Sequence, residues 1–287
     1  MKLCLSCYQS FASSGWECPF CAHHLFRQDG FVLAAPSLCH STNNFKPEYF
    51  ANLYELEANS FWFRARNKIV LWSLRKYLQK AGTFLEIGCG TGFVLSALAV
   101  AYPNVDLLGT EILLDGLPHA FRRTPSASFM QMDARHIPFV SHFDGIGAFD
   151  VLEHIEEDES VLAQMSQALH PGGFIILTVP QHPWLWSPAD DYACHKRRYS
   201  RAELMEKVRR AGFEIQRCSS FVSLLLPLMI LCRIGSRGKA YNPNNEFDIH
   251  PALNIMLYLI MKAEILMLRC GIQFSAGGSL LLIARKP

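Results

Sequence analysis

The chain has 287 residues, of which half are hydrophobic, and its 27 Lys and Arg against 25 Asp and Glu give a formal net charge of +2. This length and composition disfavour an intrinsically disordered chain and allow one large core plus an accessory module. The near-neutral charge argues against a polyanion-binding surface. The first residues lack a continuous apolar stretch, so we expect no signal peptide.

Four cysteines near the start form two pairs. Cys4 and Cys7 are separated by two residues, as are Cys18 and Cys21, and ten residues lie between the pairs. Four thiolates can close a tetrahedral shell around Zn²⁺ and leave no position for water, so the pattern predicts a structural zinc ribbon. Buried or disulfide-linked cysteines are the alternative, and four sulfurs can also hold iron. The other cysteines show no pairing pattern, which favours a reducing, cytoplasmic location.

A linker is predicted from Gln28 to Lys46, and helices follow it. We assign residues 1–38 to the ribbon and its linker and residues 39–82 to a helical cap, because apolar residues recur there at three- and four-residue spacing. Arg64 and Arg66 lie in the cap. Either arginine could bind an anionic group, and a solvated or ion-paired arginine is the alternative.

A glycine-rich turn follows the first long buried strand, which is predicted from Thr83 to Ile87. Gly88, Gly90 and Gly92 let the backbone turn tightly and approach a ligand. Their spacing is G-x-G-x-G, whereas pyrophosphate-binding turns have G-x-G-x-x-G. Because Glu86 precedes this tighter turn, the segment suits the ammonium group of an amino acid.

Two more acids follow the next predicted strands. Glu111 ends the second strand about 20 residues beyond the turn, at the position where an acid accepts hydrogen bonds from both ribose hydroxyls of a nucleoside. A third strand-like run, Ala127 to Met130, leads to Asp133. The sequence therefore predicts a nucleoside-bearing cofactor.

These segments resemble the motifs of class I S-adenosylmethionine-dependent methyltransferases, in particular the broad group called type 11. The resemblance covers roughly residues 45–287 and rests on five segments. They are Leu85-Glu86-Ile87-Gly88-Cys89-Gly90-Thr91-Gly92, Gln131-Met132-Asp133-Ala134, Phe143-Asp144-Gly145-Ile146-Gly147-Ala148-Phe149-Asp150-Val151-Leu152-Glu153-His154-Ile155, Leu169-His170-Pro171-Gly172-Gly173 and His195-Lys196-Arg197-Arg198-Tyr199-Ser200. It implies an α/β fold with a Rossmann-like, doubly wound sheet of seven strands, the last of them antiparallel. The methyltransferase domain would span residues 83–287.

The resemblance also implies S-adenosylmethionine as the methyl donor and S-adenosylhomocysteine as the product. Asp133 would contact the adenine amino group. The cofactor-binding residues that it implies are Glu86, Gly88, Cys89, Gly90, Gly92, Glu111, Ile112, Asp133, Ala134 and Asp150.

The candidate catalytic residues are His195, Asp150 and Tyr199. The segment from Gln181 to Tyr199 leaves the edge of the sheet where doubly wound folds bind ligands. His195 could remove a proton from a hydroxyl or amine acceptor, and a histidine that only bonds the backbone is the alternative. Asp150 is expected to border the transferred methyl group, and Tyr199 could instead anchor the loop. His154, after the fourth strand, is interpreted as structural, and contact with the substrate is the alternative.

The apolar segment 222–277 lies between the last two predicted strands and is expected to form a helical insertion over the active-site edge. Neither of its apolar runs is predicted to span a membrane, because one contains Pro227 and the other carries Lys262 and Glu264. A lid over a lipophilic substrate, a homodimer interface and a peripheral membrane contact stay open, as does a pair of core helices.

We therefore expect a methyltransferase that acts on a small, lipophilic acceptor at O, N or C, in the cytoplasm or in association with a membrane. An RNA base methyltransferase that uses the ribbon for recognition is one alternative, and the near-neutral charge argues against it. A non-catalytic module that binds the cofactor or a partner is the other.

Overall fold

The computed structural model describes residues 1–40, 48–236 and 249–287. The polar run Ser41 to Asn44 of the predicted linker and the middle of the 222–277 insertion lie outside the described residues.

A nine-stranded sheet forms the centre of the fold, and a two-stranded antiparallel sheet stands near the N-terminus. In chain order the strands are β1 (Lys2–Leu3), β2 (Ser10–Phe11), β3 (Phe26–Gln28), β4 (Phe31–Leu33), β5 (Thr83–Ile87), β6 (Asp106–Glu111), β7 (Ser128–Gln131), β8 (Phe143–Phe149), β9 (Leu169–Pro180), β10 (Glu214–Phe221) and β11 (Ser279–Arg285). The helices are α1 (Glu48–Leu56), α2 (Phe61–Leu78), α3 (Phe93–Ala101), α4 (Leu117–Arg123), α5 (Asp158–Ala168), α6 (Pro188–Tyr192), α7 (Arg201–Arg210), α8 (Leu226–Ser236) and α9 (Pro251–Arg269).

Seven of the strands form the predicted doubly wound sheet, in the order β10-β11-β9-β8-β5-β6-β7. The pairs among β5 to β9 are parallel, and β11 is antiparallel to both β9 and β10, which confirms the expected last strand. Apolar layers cover both faces: Ile175 and Leu177 pack into one core cluster and Ile176 into the other. Strands buried on both faces read as continuous apolar runs, which is why they were recognisable.

Two further strands extend this sheet beyond the predicted seven. The short β4 pairs in parallel with β7, through Val32 with Met130, and β3 pairs antiparallel with β4. The side chain of Gln131 bonds both backbone groups of Ala35, at 3.0 and 2.8 Å, and so fixes the end of β4. The structure thus places a sheet strand where a linker was predicted, because the open edge of β7 supplies the pairing that three apolar residues alone do not signal.

Helices α1 and α2 occupy the segment in which helical periodicity was predicted. Buried residues of α2, among them Ile69 and Leu74, pack against one face of the sheet. The N-terminus of α2 also meets α9, because Asn254 accepts a hydrogen bond from the backbone of Phe61 at 2.8 Å.

The insertion forms α8 and α9, and it is only half embedded. Leu257, Met261, Ile265 and Leu268 of α9 are buried in the core layer that includes α2. The opposite surface of the two helices is exposed, at Leu228, Leu231, Ile234, Ile255, Met256, Leu259 and Leu266. Among the described residues, α9 is the one helix whose length and apolar composition would suffice to cross a membrane, a test that core helices of soluble proteins also pass.

Candidate functional site

The glycine turn between β5 and α3 has the shape of a ligand cradle. Gly88, Gly90 and Gly92 have φ angles of 65°, 52° and 74°, in the left-handed region. A Cβ on Gly88 would lie 2.6 Å from Val151, and one on Gly92 would lie 2.9 Å from Ala120. A Cβ on Gly90 would meet nothing within 4 Å, so the middle of the turn faces open space that a ligand can occupy.

Cys89 lies inside this turn and is buried. Its backbone N–H donates to the carbonyl of Thr110 at 2.8 Å. Burial raises the pKa of its thiol well above the usual value. Cys89 therefore fills space as a neutral thiol, and both of its backbone groups are bonded within the protein, since its carbonyl accepts from Gly92 at 2.8 Å.

Glu86, in β5 just before the turn, is only 2% exposed. One of its carboxylate oxygens has no hydrogen-bond partner among the described residues. Burial raises the pKa of Glu86 to about 8; the charge of Arg66 opposes this shift, and Glu57 and Glu111 add to it. A buried carboxylate with an unused oxygen is a site for a cation such as an ammonium group.

Glu111, at the end of β6, holds the turn from the other side. Its carboxylate accepts hydrogen bonds from the amides of Gly90 at 3.1 Å, Ile112 at 2.9 Å and Leu113 at 3.2 Å. Burial raises its pKa, and the three amides oppose that shift. Each carboxylate oxygen accepts more than one hydrogen bond, so Glu111 can also receive ribose hydroxyls. The amide of Ile112 is used within the protein.

Asp133 follows β7 and is engaged by Arg135. Its carboxylate accepts from the backbone and the guanidinium of Arg135 at 2.9 to 3.1 Å. Burial tends to raise the pKa of Asp133, but the hydrogen bonds from Arg135 hold it below the usual value. The neighbouring Ala134 is buried. An adenine contact at Asp133 would therefore have to share the carboxylate with Arg135.

A buried polar cluster that the sequence analysis did not identify connects α1 to the turn. Glu57 accepts hydrogen bonds from the hydroxyl of Thr91 and from the guanidinium of Arg123, the latter at 2.5 Å. Arg123 also donates to the carbonyl of Tyr54 at 2.8 Å. The cluster joins α1, the glycine turn and α4, and the spacing of its members along the chain carries no local signal.

Asp150 follows β8 with a φ of 58° and forms an ion pair with Arg66. It also accepts from the hydroxyl of Thr178 at 3.2 Å, and its side chain stays 23% exposed. Arg64 lies over the ring of Tyr258, at 4.1 Å from the centroid. Both arginines thus have partners within the protein, which favours the interpretation that they do not bind an anionic ligand.

His195 belongs to an ionic cluster centred on Asp190, which is 1% exposed. Nδ1 of His195 lies 3.0 Å from Asp190 Oδ1, while Arg198 contacts the same carboxylate at 2.7 Å and Arg233 at 3.1 Å. Burial opposes ionisation of Asp190, but the hydrogen bond from His195 and the arginine charges hold its pKa well below the usual value. The bond to Asp190 leaves Nε2 of His195 available to another group.

Glu153 and His154 lie beside this cluster. Glu153 is 0% exposed, and neither of its carboxylate oxygens has a hydrogen-bond partner among the described residues. Burial raises its pKa well above the usual value. The ring of His154 stands nearly perpendicular to that of His195, with centroids 4.7 Å apart. Burial lowers the pKa of His154 to about 4, so its imidazole is neutral at neutral pH.

The structure places Tyr199 away from this group. Tyr199 is 0% exposed, and its hydroxyl donates to Asp158 at 2.7 Å. Asp158 also pairs with Lys207 at 2.6 Å and Arg197 at 3.0 Å. Burial raises the pKa of Tyr199. This position favours the alternative given for Tyr199, because the side chain lies in the core and anchors the segment after β9.

The four N-terminal cysteines meet in one place. Their sulfur atoms lie within 4.8 Å of one another, with Cys4 and Cys21 at 3.6 Å and Cys7 and Cys18 at 3.7 Å. Zn–S bonds of about 2.3 Å in a tetrahedron place sulfurs about 3.8 Å apart, whereas a disulfide requires about 2.05 Å. The geometry therefore fits a four-sulfur metal site, and all four cysteines are free thiols.

The doubly wound sheet, the glycine turn and the acids at the ends of β5 and β6 define the architecture of class I methyltransferases, whose donor is S-adenosylmethionine. Residues 54–217 match the family described as "Methyltransferase domain", and the chain belongs to that family.

Named relatives agree with this placement. A protein of Mycolicibacterium smegmatis, called "Probable S-adenosylmethionine-dependent methyltransferase", is 27% identical over 56% of this chain and 62% of its own length. The dTDP-3-amino-3,4,6-trideoxy-alpha-D-glucopyranose N,N-dimethyltransferase of Streptomyces venezuelae is 30% identical over 40% of this chain and 47% of its own length. The chain thus spans about half to two thirds of these relatives.

A solved structure shares the fold. Phosphoethanolamine N-methyltransferase 2 of Haemonchus contortus, in complex with S-adenosyl-L-methionine, has a TM-score of 0.54 and 19% sequence identity, over 77% of this chain and 52% of that one.

Proposed function

We propose that this protein transfers a methyl group from S-adenosylmethionine to a small, lipophilic acceptor. The observation that carries the proposal is the cradle at the end of β5, where an open glycine turn lies between the buried carboxylates of Glu86 and Glu111.

The cradle fits the parts of the donor. The unpartnered oxygen of Glu86 suits the ammonium of the methionine part, and the open side of Gly90 admits a ligand against the backbone. Glu111 offers lone pairs to the ribose hydroxyls, while Asp133 and Ala134 border the place proposed for adenine. Asp150 stays at the carboxyl edge, beside the place proposed for the transferred methyl group.

When bound, S-adenosylmethionine supplies an electrophilic methyl carbon. The residues of this chain act mainly by orientation and by excluding water, because in-line methyl transfer needs little further chemistry from a protein. Glu86 and Glu111 would hold the methionine part and the ribose of the donor against a turn that is packed closely on Val151 and Ala120. His195, held through Nδ1 by Asp190, keeps Nε2 for another group and is our candidate for the proton acceptor.

A lipophilic acceptor is supported by the surface next to this edge. Trp184 and Trp186, in the segment after β9, are 57% and 39% exposed. The exposed apolar faces of α8 and α9 continue from the same segment, because Arg233 of α8 binds Asp190. The Streptomyces venezuelae relative is named for a small-molecule substrate, which supports the same size class.

Two parts of the proposal concern the rest of the molecule. A structural Zn²⁺ bound by Cys4, Cys7, Cys18 and Cys21 is supported by the sulfur separations. A homodimer contact or a bilayer contact through residues 222–277 is supported by the exposed faces of α8 and α9. Sedimentation and vesicle flotation of the wild type and of Leu231→Asp would separate these two contacts.

The central test measures binding and turnover together. Isothermal titration should show binding of S-adenosylmethionine that Glu86→Gln weakens about 10- to 100-fold, as expected for a lost charged hydrogen bond. Glu206→Gln is the matched control, since Glu206 is exposed and pairs only with Arg210 among the described residues. Labelled donor incubated with lipid extracts should yield a methylated product. Cofactor binding without any transfer would favour the non-catalytic alternative.

A further inference from the structure

Three side chains from neighbouring strand ends form a cluster that methyl transfer alone does not require. Glu153 and His154 lie on the short helical turn after β8, and His195 lies on the segment after β9. Because β8 and β9 are adjacent parallel strands, their carboxyl ends bring these residues together. A carboxylate oxygen of Glu153 and one nitrogen of each imidazole all lie within 4.8 Å of one another.

Glu153 is the member that calls for an explanation. It is fully buried, and neither oxygen is bonded to any group in the described parts of the chain. The charged groups that act on it are the carboxylate of Asp150 and the guanidiniums of Arg66 and Arg198. Arg66 is already bound to Asp150 and Arg198 to Asp190. Buried polar groups in native proteins have partners, so an unbonded carboxylate within 4.8 Å of two imidazole nitrogens points to a missing cation.

Both imidazoles are arranged as metal ligands usually are. Nδ1 of His195 is held by Asp190, and His154 is bonded to the backbone of Ala193. A hydrogen bond at one ring nitrogen fixes the tautomer and leaves the lone pair of the other nitrogen for a metal ion. Asp190 is in turn held by Arg198 and Arg233, so the position of His195 is rigid.

We propose that Glu153, His154 and His195 bind a divalent transition-metal ion beside the cofactor cradle. Two imidazoles and one carboxylate suit Zn²⁺, Fe²⁺ or Co²⁺ better than Mg²⁺ or Ca²⁺. Bonds of about 2.1 Å require ligand atoms roughly 3.0 to 3.4 Å apart, so the side chains would close by up to about 1.5 Å. Three protein ligands leave coordination positions open, and the 16% exposure of His195 provides access to them.

The open positions define an acceptor class, and this step rests on the proposed methyl transfer. The turn after β8 adjoins the turn after β5, because β5 and β8 are paired and Val151 packs against Gly88. An acceptor bound to the ion would therefore lie next to the donor. The acceptor class is a small molecule with a hydroxyl oxygen, alone or beside a second oxygen, that can bind a divalent ion. In this arrangement His195 is a ligand and not a proton acceptor.

The test is a Co²⁺ titration of the full chain after removal of bound metal with a chelator. Wild type should bind two Co²⁺, one with the thiolate charge-transfer absorption of a four-sulfur site and one without it. Glu153→Gln and His195→Asn should each lose only the second ion. His170→Asn is the matched control, because His170 lies at the opposite end of β9, and it should still bind two. A wild type with only the thiolate-bound ion, or a second ion that persists in both variants, would overturn the proposal.

Calorimetry with S-adenosylmethionine on the same samples separates this proposal from the proposed function. Glu153→Gln should keep the wild-type affinity for the donor within about threefold, because Glu153 lies on the acceptor side. Absence of donor binding in the wild type would contradict the proposed function. The number of Co²⁺ ions bound by the wild type and the variants would still test the metal site. Circular dichroism identifies any variant that does not fold, and the wild-type count then decides alone.

Discussion

At the residue scale, the candidate site at the carboxyl edge of the sheet contains two buried carboxylates that lack full hydrogen bonding. Glu86 and Glu153 are 2% and 0% exposed, and each has at least one oxygen without a partner among the described residues. Each such group lowers stability unless something binds it. Both stand at the carboxyl ends of central strands, where doubly wound sheets bind ligands. We therefore interpret Glu86 and Glu153 as residues that bind ligands and not as residues that stabilise the core.

The raised pKa of Glu86 predicts that affinity for S-adenosylmethionine increases between about pH 6 and pH 8. Below about 8 the free protein keeps Glu86 protonated, and an ammonium group requires the ionised form, so binding must release a proton. The same shift makes the free energy of unfolding fall as pH rises from the ordinary carboxyl pKa to about 8, because the folded state holds the extra proton.

Titration calorimetry at several pH values checks this dependence. The charged groups that face Glu86 are Arg66, Glu57 and Glu111, and Glu111 has a raised pKa of its own. Glu86→Gln should therefore remove most of the pH dependence and leave the remainder that belongs to Glu111. An equally steep dependence in Glu86→Gln would show that Glu86 is not the group that ionises.

Glu111 predicts a different result, because it supports both the ligand and the turn. Glu111→Gln keeps the size but loses the charge that accepts from three amides, and we expect affinity for S-adenosylmethionine to fall about 10- to 100-fold. The free energy of unfolding should fall by about 1 to 3 kcal/mol, since the amides lose a charged acceptor. Calorimetry and urea unfolding measure the two effects. Unchanged binding would exclude Glu111 as the ribose acceptor.

At the scale of elements, the pair of Glu57 and Arg123 determines how α1 covers the glycine turn. The two side chains are 8% and 13% exposed, so removing one leaves the other charge buried without its partner. Arg123→Met should lower the free energy of unfolding by about 3 kcal/mol. It should also weaken donor binding, because Thr91 of the turn belongs to the same cluster.

Arg122→Met provides the comparison for Arg123→Met in urea unfolding and calorimetry. Arg122 is exposed and contacts only the ring of Tyr54 among the described residues, at 5.8 Å. We expect this variant to stay within about 0.5 kcal/mol of the wild type. Equal losses in the two variants would mean that the buried pair does not fix α1.

The elements differ in how far the sequence could predict them. Strand β5 has the predicted bounds, because an apolar run and the glycine turn after it mark them. Strands β3 and β4 are three residues each, and their pairing depends on the free edge of β7. The apolar pattern of α9 did not predict which of its residues are buried. Leu257 and Met261 are buried, whereas Ile255 and Leu259 are exposed.

The candidate site also contains residues that local spacing predicts and residues that only the pairing of strands brings together. Glu86 and Glu111 were predictable because each stands at a fixed distance from the turn. The contact of Glu153 with His195 depends on the pairing of β8 with β9, which no local spacing reports. The burial of Tyr199 likewise follows from a parallel bridge between Gln181 and Tyr199, which local spacing does not predict.

At the scale of the whole molecule, the segment that contains Cys4, Cys7, Cys18 and Cys21, called here the cysteine module, packs against the main fold. Leu3 donates to the carbonyl of Pro138 at 2.9 Å. Trp16 packs edge-on against Phe139, with ring centroids 5.4 Å apart, and Phe139 belongs to the main core cluster. Strands β3 and β4 then continue the chain along the edge of the sheet at β7. Order in residues 1–33 and protection of that edge should therefore depend on one another.

Removing one proposed zinc ligand tests this dependence. Cys21 is exposed, so Cys21→Ser disturbs no packing and should act only through loss of the metal. Hydrogen exchange should accelerate in residues 1–33 and in β7, while β5 and β8 at the centre of the sheet stay protected. Loss of the Trp16 contact with Phe139 should lower the free energy of unfolding by about 3 kcal/mol.

Cys270→Ser, at another exposed cysteine outside the module, should change neither the exchange rates nor the free energy of unfolding. If exchange in β7 stays slow while residues 1–33 become disordered, the module would be an appendage whose metal does not support the sheet.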